Sequence, residues 1–161
     1  MLAHTDPLTG LTNRRGFEIE LEGLLSDPVG AGHAALFFLD LNGFKLVNDR
    51  LGHRAGDDAL RVIADRLRSL TRAHDTVARV GGDEFVILAR QVGADPAAAQ
   101  LAERFGQALL RPPGAPDVVV RASVGVAVPQ AGDTAQALIE RADRAMYAAK
   151  RDQGTVSDER P

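Results

Sequence analysis

The chain has 161 residues, of which 45% are hydrophobic and 25% charged, a composition typical of one compact globular domain. It contains no cysteine, which excludes disulfide scaffolds, thiolate chemistry and cysteine-based zinc sites. The formal net charge of -3 provides no overall positive field for sequence-independent binding to nucleic acid or to an anionic membrane. The longest apolar run is too short to span a bilayer, and the first residues lack the layout of a secretory signal. We therefore expect a cytoplasmic location, either as this chain or as the cytoplasmic domain of a larger, even membrane-anchored, protein.

The first half of the chain alternates helical and extended patterns. Apolar residues at i, i+4, i+7 and i+8 predict an amphipathic helix over Asn13–Leu25, which a segment rich in Pro and Gly ends. The uninterrupted apolar run Ala34–Leu39 predicts a buried strand with Asp40 at its carboxyl end. A second amphipathic stripe predicts a helix of about four turns over Leu60–Leu70, after a break at Gly56-Asp57.

The second half contains a hairpin signal between two further helical patterns. The apolar runs Thr76–Val80 and Phe85–Ala89 are joined by Gly-Gly-Asp-Glu, and a Gly-Gly pair between such runs indicates a β-hairpin. Apolar spacing predicts helices over Ala98–Leu109 and Leu138–Ala149. Between them, Val118–Val128 is typical of extended segments, interrupted around its serine and glycine. This order predicts an α/β fold with a mixed or mostly antiparallel sheet covered by helices.

The end of the first predicted strand combines a carboxylate with the start of a short helix. Main-chain N–H groups of Gly43, Phe44 and Lys45 would be the unpaired donors of that helix N-terminus, which is a common phosphate-binding arrangement. Asp40 can hold a hard cation that also contacts the phosphates. The alternative is that Asp40 only caps the helix.

The hairpin turn presents two adjacent acids, Asp83 and Glu84. Adjacent carboxylates repel each other, and a divalent cation is the usual compensation. Either acid, together with Asp40, can supply oxygen ligands to one or two Mg²⁺ ions. The alternative is a solvated turn of ordinary composition, because Gly and Asp are common turn residues.

The polar segment between these two motifs offers groups that can bind the edge of a base. A carboxylate at Asp57 accepts from guanine N1–H and N2–H₂, whereas adenine has no donor at N1, so Asp57 with Asn48 would select guanine. His53 has no second histidine at metal-ligand spacing, and the sequence therefore favours a structural hydrogen bond for it.

Together these stretches resemble the GGDEF family, the diguanylate cyclases that condense two GTP into cyclic di-GMP with release of pyrophosphate. Five stretches carry the resemblance in chain order: Asp6–Phe17, Asp40–Asp57, Arg79–Phe85, Ser123–Val126 and Ala142–Lys150. The resemblance as a whole covers about residues 4–155 of what we expect to be a single domain, 1–161. The resemblance implies the α/β fold of nucleotidyl cyclases and polymerase palms, a central, mostly antiparallel sheet flanked by helices.

The resemblance also implies roles for individual residues. Asp40, the main-chain carbonyl of Leu41 and Asp83 would bind Mg²⁺ or Mn²⁺. The catalytic acids would be Asp40, Asp83 and Glu84, and either of the last two would activate the 3′-hydroxyl. The implied nucleotide-binding residues comprise a guanine-binding pair and a set around the phosphates: Asn48 and Asp57, then Gly43, Phe44, Lys45, Gly82 and Lys150. Gly82 has no Cβ and would let the nucleotide approach the turn.

A further match lies ahead of the signature, where Arg72 and Asp75 have the spacing of the RxxD inhibitory site of such cyclases. Arg72 can donate in bidentate fashion to guanine O6 and N7, and Asp75 can accept from the opposite edge, so the pair would bind a guanine of the product. The alternative is an exposed ion pair at a helix end.

Two positions depart from the family pattern. Asn42 stands where the family more often has a second Asp, which removes one charge beside the expected cation. After Lys150 the usual Gly, basic residue and Asn are replaced by Arg-Asp-Gln-Gly-Thr. The second basic contact to the γ-phosphate is therefore absent, or it has moved to Arg151.

The resemblance implies GTP and cyclic di-GMP as ligands, with one GTP held by each domain. Catalysis would therefore need a second copy of the domain, as a homodimer, and a sensory or regulatory domain would control it in the full-length protein. No contact with nucleic acid or membrane is expected for this segment. One alternative is a catalytically silent GGDEF domain that binds GTP or cyclic di-GMP as a regulatory module, which the intact acids disfavour. A polymerase-like palm acting on a nucleic-acid end is disfavoured by the net charge of -3 and the lack of an aromatic or basic track.

Overall fold

The computed structural model describes residues 3–93, 95–107 and 109–153. The helices and strands follow one another in this order: α1 (Arg14–Leu25), α2 (Pro28–Ala31), β1 (Ala35–Asn42), α3 (Phe44–Leu51), α4 (His53–Leu70), β2 (Thr76–Arg79), β3 (Glu84–Ala89), α5 (Asp95–Gly106), β4 (Arg121–Ala127) and α6 (Ala135–Asp152). The strands form a 4-stranded sheet in the order β2-β3-β1-β4, and each neighbouring pair is antiparallel. This confirms the predicted α/β class, an antiparallel sheet flanked by helices.

The sheet separates two hydrophobic layers because successive side chains of a strand point to opposite faces. Phe37 and Leu39 of β1 belong to the layer formed with α3, α4 and α5, whereas Leu36 and Phe38 belong to the layer formed with α1 and α6. Phe37 packs edge-to-face on Phe105 of α5, with ring centroids 5.1 Å apart. The central strand is buried on both faces, which explains its continuous apolar sequence.

The hairpin between β2 and β3 forms as predicted. Arg79 pairs with Phe85 in the antiparallel register, and the N–H groups of Val80 and Gly81 both donate to the carbonyl of Glu84, at 3.0 and 3.3 Å. The turn therefore includes both glycines, and the acidic pair that follows them is half-buried.

Several predicted element boundaries differ from those of the structure. The helix α4 begins at His53, so Gly56-Asp57 lies inside it, and the break falls instead at Gly52, whose φ of +85° few other residues adopt. The strand β1 continues past Asp40 to Asn42, because its last residues still pair with β4. The Pro- and Gly-rich segment after α1 forms the short helix α2. The third predicted helix ends at Gly106, before the predicted Leu109, and residue 108 lies outside the described residues.

The predicted interruption of the last strand around Ser123 and Gly125 is wrong, since β4 is continuous. Gly125 pairs with Phe38 of β1 and faces α6. A Cβ added there would collide with the main chain of Ala142 and Met146 in α6. The glycine thus permits close packing of the helix on the strand and does not break the strand. Because α6 lies so close, its C-terminal turn reaches the end of β1.

In the ranges that the structure describes, no helix has both the length and the apolar character needed to cross a membrane.

Candidate active site

The acids that the sequence analysis selected meet near the end of β1. In the register of the sheet, Asp40 pairs with Glu84 of β3 on one side and with Ser123 of β4 on the other. The N–H group of Leu41 donates to the carbonyl of Asp83 at 3.1 Å, which attaches the turn to β1 directly beside Asp40. Two motifs distant in the sequence thus form one acidic cluster.

The clustered carboxylates make ionisation unfavourable for one another. Burial raises the pKa of Asp83, and the neighbouring Asp40 raises it further. Burial likewise raises the pKa of Glu84, together with the charges of Asp40, Asp143 and Asp83. A site in which half-buried carboxylates repel each other is one that a hard dication stabilises.

The donor groups also fit a magnesium ion. Within the described ranges, no three acidic or histidine side chains form a preformed metal site. A cation bound by Asp40 and Asp83 would therefore complete its coordination with main-chain oxygen, water or phosphate. Mg²⁺ commonly binds in this way, through one or two carboxylates plus waters and substrate phosphates.

Lys150, in the last turn of α6, supplies positive charge to the cluster. Its Nζ lies 2.8 Å from Oδ2 of Asp40, and the two side chains are 22% and 14% exposed. The resemblance placed Lys150 on the phosphates of the nucleotide, whereas the structure places its ammonium on Asp40. An ammonium has three N–H donors, so contact with a phosphate does not require it to leave the carboxylate.

The turn after β1 has the backbone expected of a phosphate-binding loop. Gly43 adopts a left-handed φ of +86°, and a Cβ there would lie 2.7 Å from the carbonyl oxygen of Val119, so both conformation and space require glycine. Gly43 is the N-cap of α3, whose first residues are Phe44 and Lys45. No side chain forms a capping hydrogen bond with this end of the helix. The alternative role of Asp40 as the helix cap is therefore not found.

The structure brings the two predicted guanine-binding residues to the crossing of α3 and α4. The side chain of Asn48 lies against Gly56, where an added Cβ would collide with its Oδ1. Asp57, which follows Gly56 in α4, is exposed. His53 is also exposed, and its predicted structural hydrogen bond is not among the bonds of the described residues.

At the turn, a Cβ added to Gly82 would meet only open space, so the room that the resemblance assigns to a nucleotide is present there. Gly81 is more constrained, because its Cβ would lie 2.6 Å from Oε1 of Glu84.

The predicted inhibitory site lies at the opposite end of β2 from this turn. Asp75 is not paired with the guanidinium of Arg72 in the described part of the chain, so the alternative of an exposed ion pair is wrong. Its oxygens accept the main-chain N–H groups of Arg72 and Arg90, both at 2.9 Å, and its side chain is only 7% exposed. Arg72 and Asp75 line a cavity of about 330 Å³ together with Arg68, which the sequence analysis missed because nothing in the RxxD spacing points to it.

The two departures from the family pattern meet in one hydrogen-bond network. Nδ2 of Asn42 donates to Oγ of Ser123 at 2.8 Å, and this hydroxyl donates to Oε1 of Gln153 at 3.0 Å. These hydrogen bonds connect the C-terminal end of α6 to β1 and β4. Arg151 is exposed in that last turn. The glycine and threonine that follow Gln153 lie outside the described residues.

A family model described as "Diguanylate cyclase, GGDEF domain" matches residues 3–155. The chain belongs to the GGDEF family. Among curated relatives of this GGDEF domain, the diguanylate cyclase TpbB of Pseudomonas aeruginosa is 42% identical over 154 residues, which are 92% of this chain and 35% of the relative. The chain thus spans well under half the length of that relative.

Solved structures agree with the fold of the GGDEF domain. A sensory box/GGDEF family protein from Caulobacter crescentus is 36% identical with a TM-score of 0.79, covering 93% of this chain and 99% of that one. The coiled coil and GGDEF domain of DgcB from Caulobacter crescentus, in complex with c-di-GMP, is 29% identical with a TM-score of 0.79, covering 93% and 82%. These likenesses confirm the predicted cyclase palm-like architecture.

Proposed function

We propose that this GGDEF domain is a diguanylate cyclase that converts two GTP into cyclic di-GMP and pyrophosphate. The observation that carries the proposal is the cluster of Asp40, Asp83 and Glu84 near the start of α3, which no side chain caps. Repelling carboxylates destabilise a domain that has no use for a cation, and the intact acids disfavour the alternative, a catalytically silent binding module. The cyclase names of relatives at about 40% identity support the same activity.

The cation would be Mg²⁺ or Mn²⁺, held by Asp40, Asp83 and the main-chain carbonyl of Leu41. When bound, it supplies positive charge that stabilises the oxygens at which negative charge develops. The protein's own acids then have a second task. Asp83 or Glu84, both with a raised pKa, accepts the proton of the attacking 3′-hydroxyl.

In the reaction, the 3′-oxygen of one GTP forms a bond to the α-phosphorus of the other. The bond from that phosphorus to the bridging oxygen of the leaving pyrophosphate breaks. A second, identical step closes the ring. The N–H groups at the start of α3, with Lys45 and Lys150, would hold the phosphates, and Asn48 and Asp57 the guanine.

One domain binds one GTP in this arrangement, so two copies must face each other, as a homodimer. We infer that residues 1–161 act as a single domain in the cytoplasm, where GTP is available. Because the relatives are longer, we also infer that a sensory or regulatory domain controls the pairing of two copies.

Incubation with GTP and Mg²⁺ over a wide range of protein concentrations tests this function. We expect chromatography to show cyclic di-GMP and two pyrophosphates per product, at a rate that rises more steeply than the protein concentration. Omitting the metal should stop synthesis. GTP binding without product at any protein concentration would instead support the silent module.

Product inhibition through the RxxD site is tested best at Arg72. We expect Arg72→Ala to weaken cyclic di-GMP binding roughly tenfold to a hundredfold, because charge-assisted hydrogen bonds contribute about 1.5–3 kcal/mol. Asp75 is a poorer choice, since its carboxylate also fixes the main chain. The measurement is calorimetric titration of cyclic di-GMP.

The matched control is Arg61→Ala, an exposed arginine of α4 that pairs with Asp58 at 2.8 Å and does not line this cavity. GTP binding should be unchanged in both variants, because the two sites lie at opposite ends of a strand that spans about 13 Å. Equal product affinity in Arg72→Ala and the parent would contradict the site, as would full displacement of product by a non-hydrolysable GTP analogue.

A further inference from the structure

Arg79, the last residue of β2, connects the acidic turn to the N-terminal segment. Its Nε and Nη2 both donate to the carbonyl of Gly82, at 3.2 and 2.9 Å, and its Nη1 donates to Oδ1 of Asp6 at 3.3 Å. The side chains of Arg79 and Asp6 are only 16% and 15% exposed. A guanidinium is planar with donors in a fixed fork, so it sets the position of one acceptor relative to the other.

Asp6 is itself held firmly. Its Oδ2 accepts from the main-chain N–H and the hydroxyl of Thr9, at 2.9 and 2.6 Å. Burial alone would raise the pKa of Asp6, but the hydrogen bonds from Thr9 and Arg79 outweigh burial, and the pKa is lowered. The carboxylate is therefore charged at neutral pH.

The segment around Asp6 is also attached to β2. The N–H group of Thr12 donates to the carbonyl of Val77 at 3.3 Å, and the N–H group of Arg79 donates to the carbonyl of Thr12 at 2.9 Å. These bonds form a parallel bridge between Thr12 and Ala78. Main-chain hydrogen bonds thus join the N-terminal segment to β2, the strand that carries Arg79.

We propose that Arg79 and Asp6 are positioning residues of the cyclase: Asp6 fixes Arg79, and Arg79 fixes the Gly82 carbonyl and with it the next residue, Asp83. The inference rests on the proposed function and extends it, because neither residue belongs to the predicted substrate, metal or inhibitory sites. The turn needs such support, since its two glycines give it conformational freedom and its acids repel each other.

Arg14 makes a related but different contact. Its Nε and Nη2 donate to the carbonyl of Val80, at 3.3 and 3.2 Å, and its side chain is exposed. It supports the near side of the turn, and within the described ranges it forms no ion pair comparable to that of Arg79 with Asp6. The bridge from Asp6 through Arg79 to Gly82 is the contact that reaches the residue next to Asp83.

A second arginine that joins an aspartate to a main-chain carbonyl lies far from the acidic cluster and provides a matched control. Arg141 donates to both oxygens of Asp133, at 3.0 and 2.9 Å, and to the carbonyl of Val128 at 2.6 Å. Val128 directly follows β4, whose end pairs with Leu36, at the other end of β1 from Asp40. Asp133→Asn thus removes an equivalent charge from an equivalent bridge away from the acidic cluster.

The test compares Asp6→Asn, Arg79→Lys and Asp133→Asn in the full chain with GTP and Mg²⁺. We expect Asp6→Asn and Arg79→Lys each to lower kcat roughly tenfold to a hundredfold while the KM for GTP changes little, because only the reacting geometry is disturbed. The double variant should lose no more than either single variant, since both act through one bridge. Asp133→Asn should keep the parental kcat.

A second measurement does not depend on cyclase activity. In metal-free protein, amide hydrogen exchange in a peptide covering residues 79–85 should be faster in Asp6→Asn and Arg79→Lys than in the parent and in Asp133→Asn. Parental exchange in this turn, parental kcat in Asp6→Asn, or equal losses in Asp133→Asn would each overturn the inference. If Asp6→Asn does not fold, Arg79→Lys decides by the same criteria. If the parent makes no cyclic di-GMP, the proposed function fails, and the exchange data alone decide this inference.

Discussion

Asp83→Asn should reduce cyclic di-GMP synthesis by a factor of about 10² to 10⁴, the range expected for loss of a general base or of a metal-binding carboxylate. The substitution changes one oxygen to an amide nitrogen and leaves the size of the side chain nearly unchanged. Because the main-chain carbonyl of Asp83 still accepts from Leu41, the turn should keep its attachment to β1. The measurement is the rate of product formation at saturating GTP over a series of Mg²⁺ concentrations.

A companion variant, Glu84→Gln, separates the roles of the two acids. Loss of a metal ligand raises the Mg²⁺ concentration needed for the half-maximal rate, whereas loss of the base lowers kcat at every Mg²⁺ concentration. Synthesis at the parental rate in Asp83→Asn would show that this turn is not the catalytic centre.

The same substitution should stabilise the metal-free protein at neutral pH. The pKa of Asp83 is raised in the folded state by burial and by Asp40, so the folded protein binds this proton more tightly than the unfolded chain does. The parent therefore loses stability as the pH rises from the unfolded carboxyl pKa of about 4 through the raised folded value. Asp83→Asn removes that loss.

We expect the gain in the free energy of unfolding to be about 0.5–1 kcal/mol at pH near 7, because water screens repulsion at a half-exposed site. Urea unfolding in the presence of a chelator, at neutral pH and below about pH 4, measures it. The difference between parent and variant should shrink at the lower pH, where the parental carboxyl is protonated. A variant less stable than the parent at neutral pH would contradict the repulsion inferred from the site.

Asp57→Ala should remove most of the preference of the domain for GTP over ATP. The carboxylate accepts from guanine N1–H and N2–H₂, and loss of such a contact costs about 1–3 kcal/mol, or roughly tenfold to a hundredfold in affinity. Asp57 is exposed, so its replacement leaves the core intact. Asn48 is less suitable because its side chain packs against Gly56 between α3 and α4.

The control for this variant is Asp58→Ala, the adjacent acid of the same helix, whose carboxylate pairs with Arg61 at 2.8 Å. Calorimetry with non-hydrolysable analogues of GTP and ATP should show the parental preference in this control. Equal affinities for the two analogues in the parent would contradict guanine recognition by Asp57. An equal loss in both variants would point to net charge as the cause.

Local sequence patterns were sufficient for the four long helices, though not for all of their ends, and for the hairpin and the fold class. The stripe of Leu60, Ile63 and Leu67 repeats with helical spacing and indeed lies buried on one face of α4. The apolar run of β1 required a strand covered on both sides, which only a sheet between two helical layers provides. The order of the motifs was also sufficient for the family, because each stretch keeps its place along nearly the whole chain.

The local sequence patterns gave wrong predictions of secondary structure at two glycines. The sequence around Gly125 predicts a strand interruption, but Gly125 lies within β4 because α6 packs against it. The Gly56-Asp57 pair predicts a break before α4, but Gly56 lies within the helix, where Asn48 of α3 covers it. A glycine favours loops when no neighbour is known, and the neighbour that makes it favourable in a helix or strand comes from elsewhere in the chain.

The partners of the charged residues were decided by the tertiary structure alone. Lys150 meets Asp40 across 110 residues of sequence, and Arg79 meets Asp6 across 73. Asp75, selected as half of an RxxD pair, is bound instead by the main-chain N–H groups of Arg72, which precedes β2, and Arg90, which follows β3. Residue types in a sequence show which charges are available. Which of them pair depends on the strand register and helix packing that bring them within a few ångströms, because a hydrogen bond is lost beyond that distance.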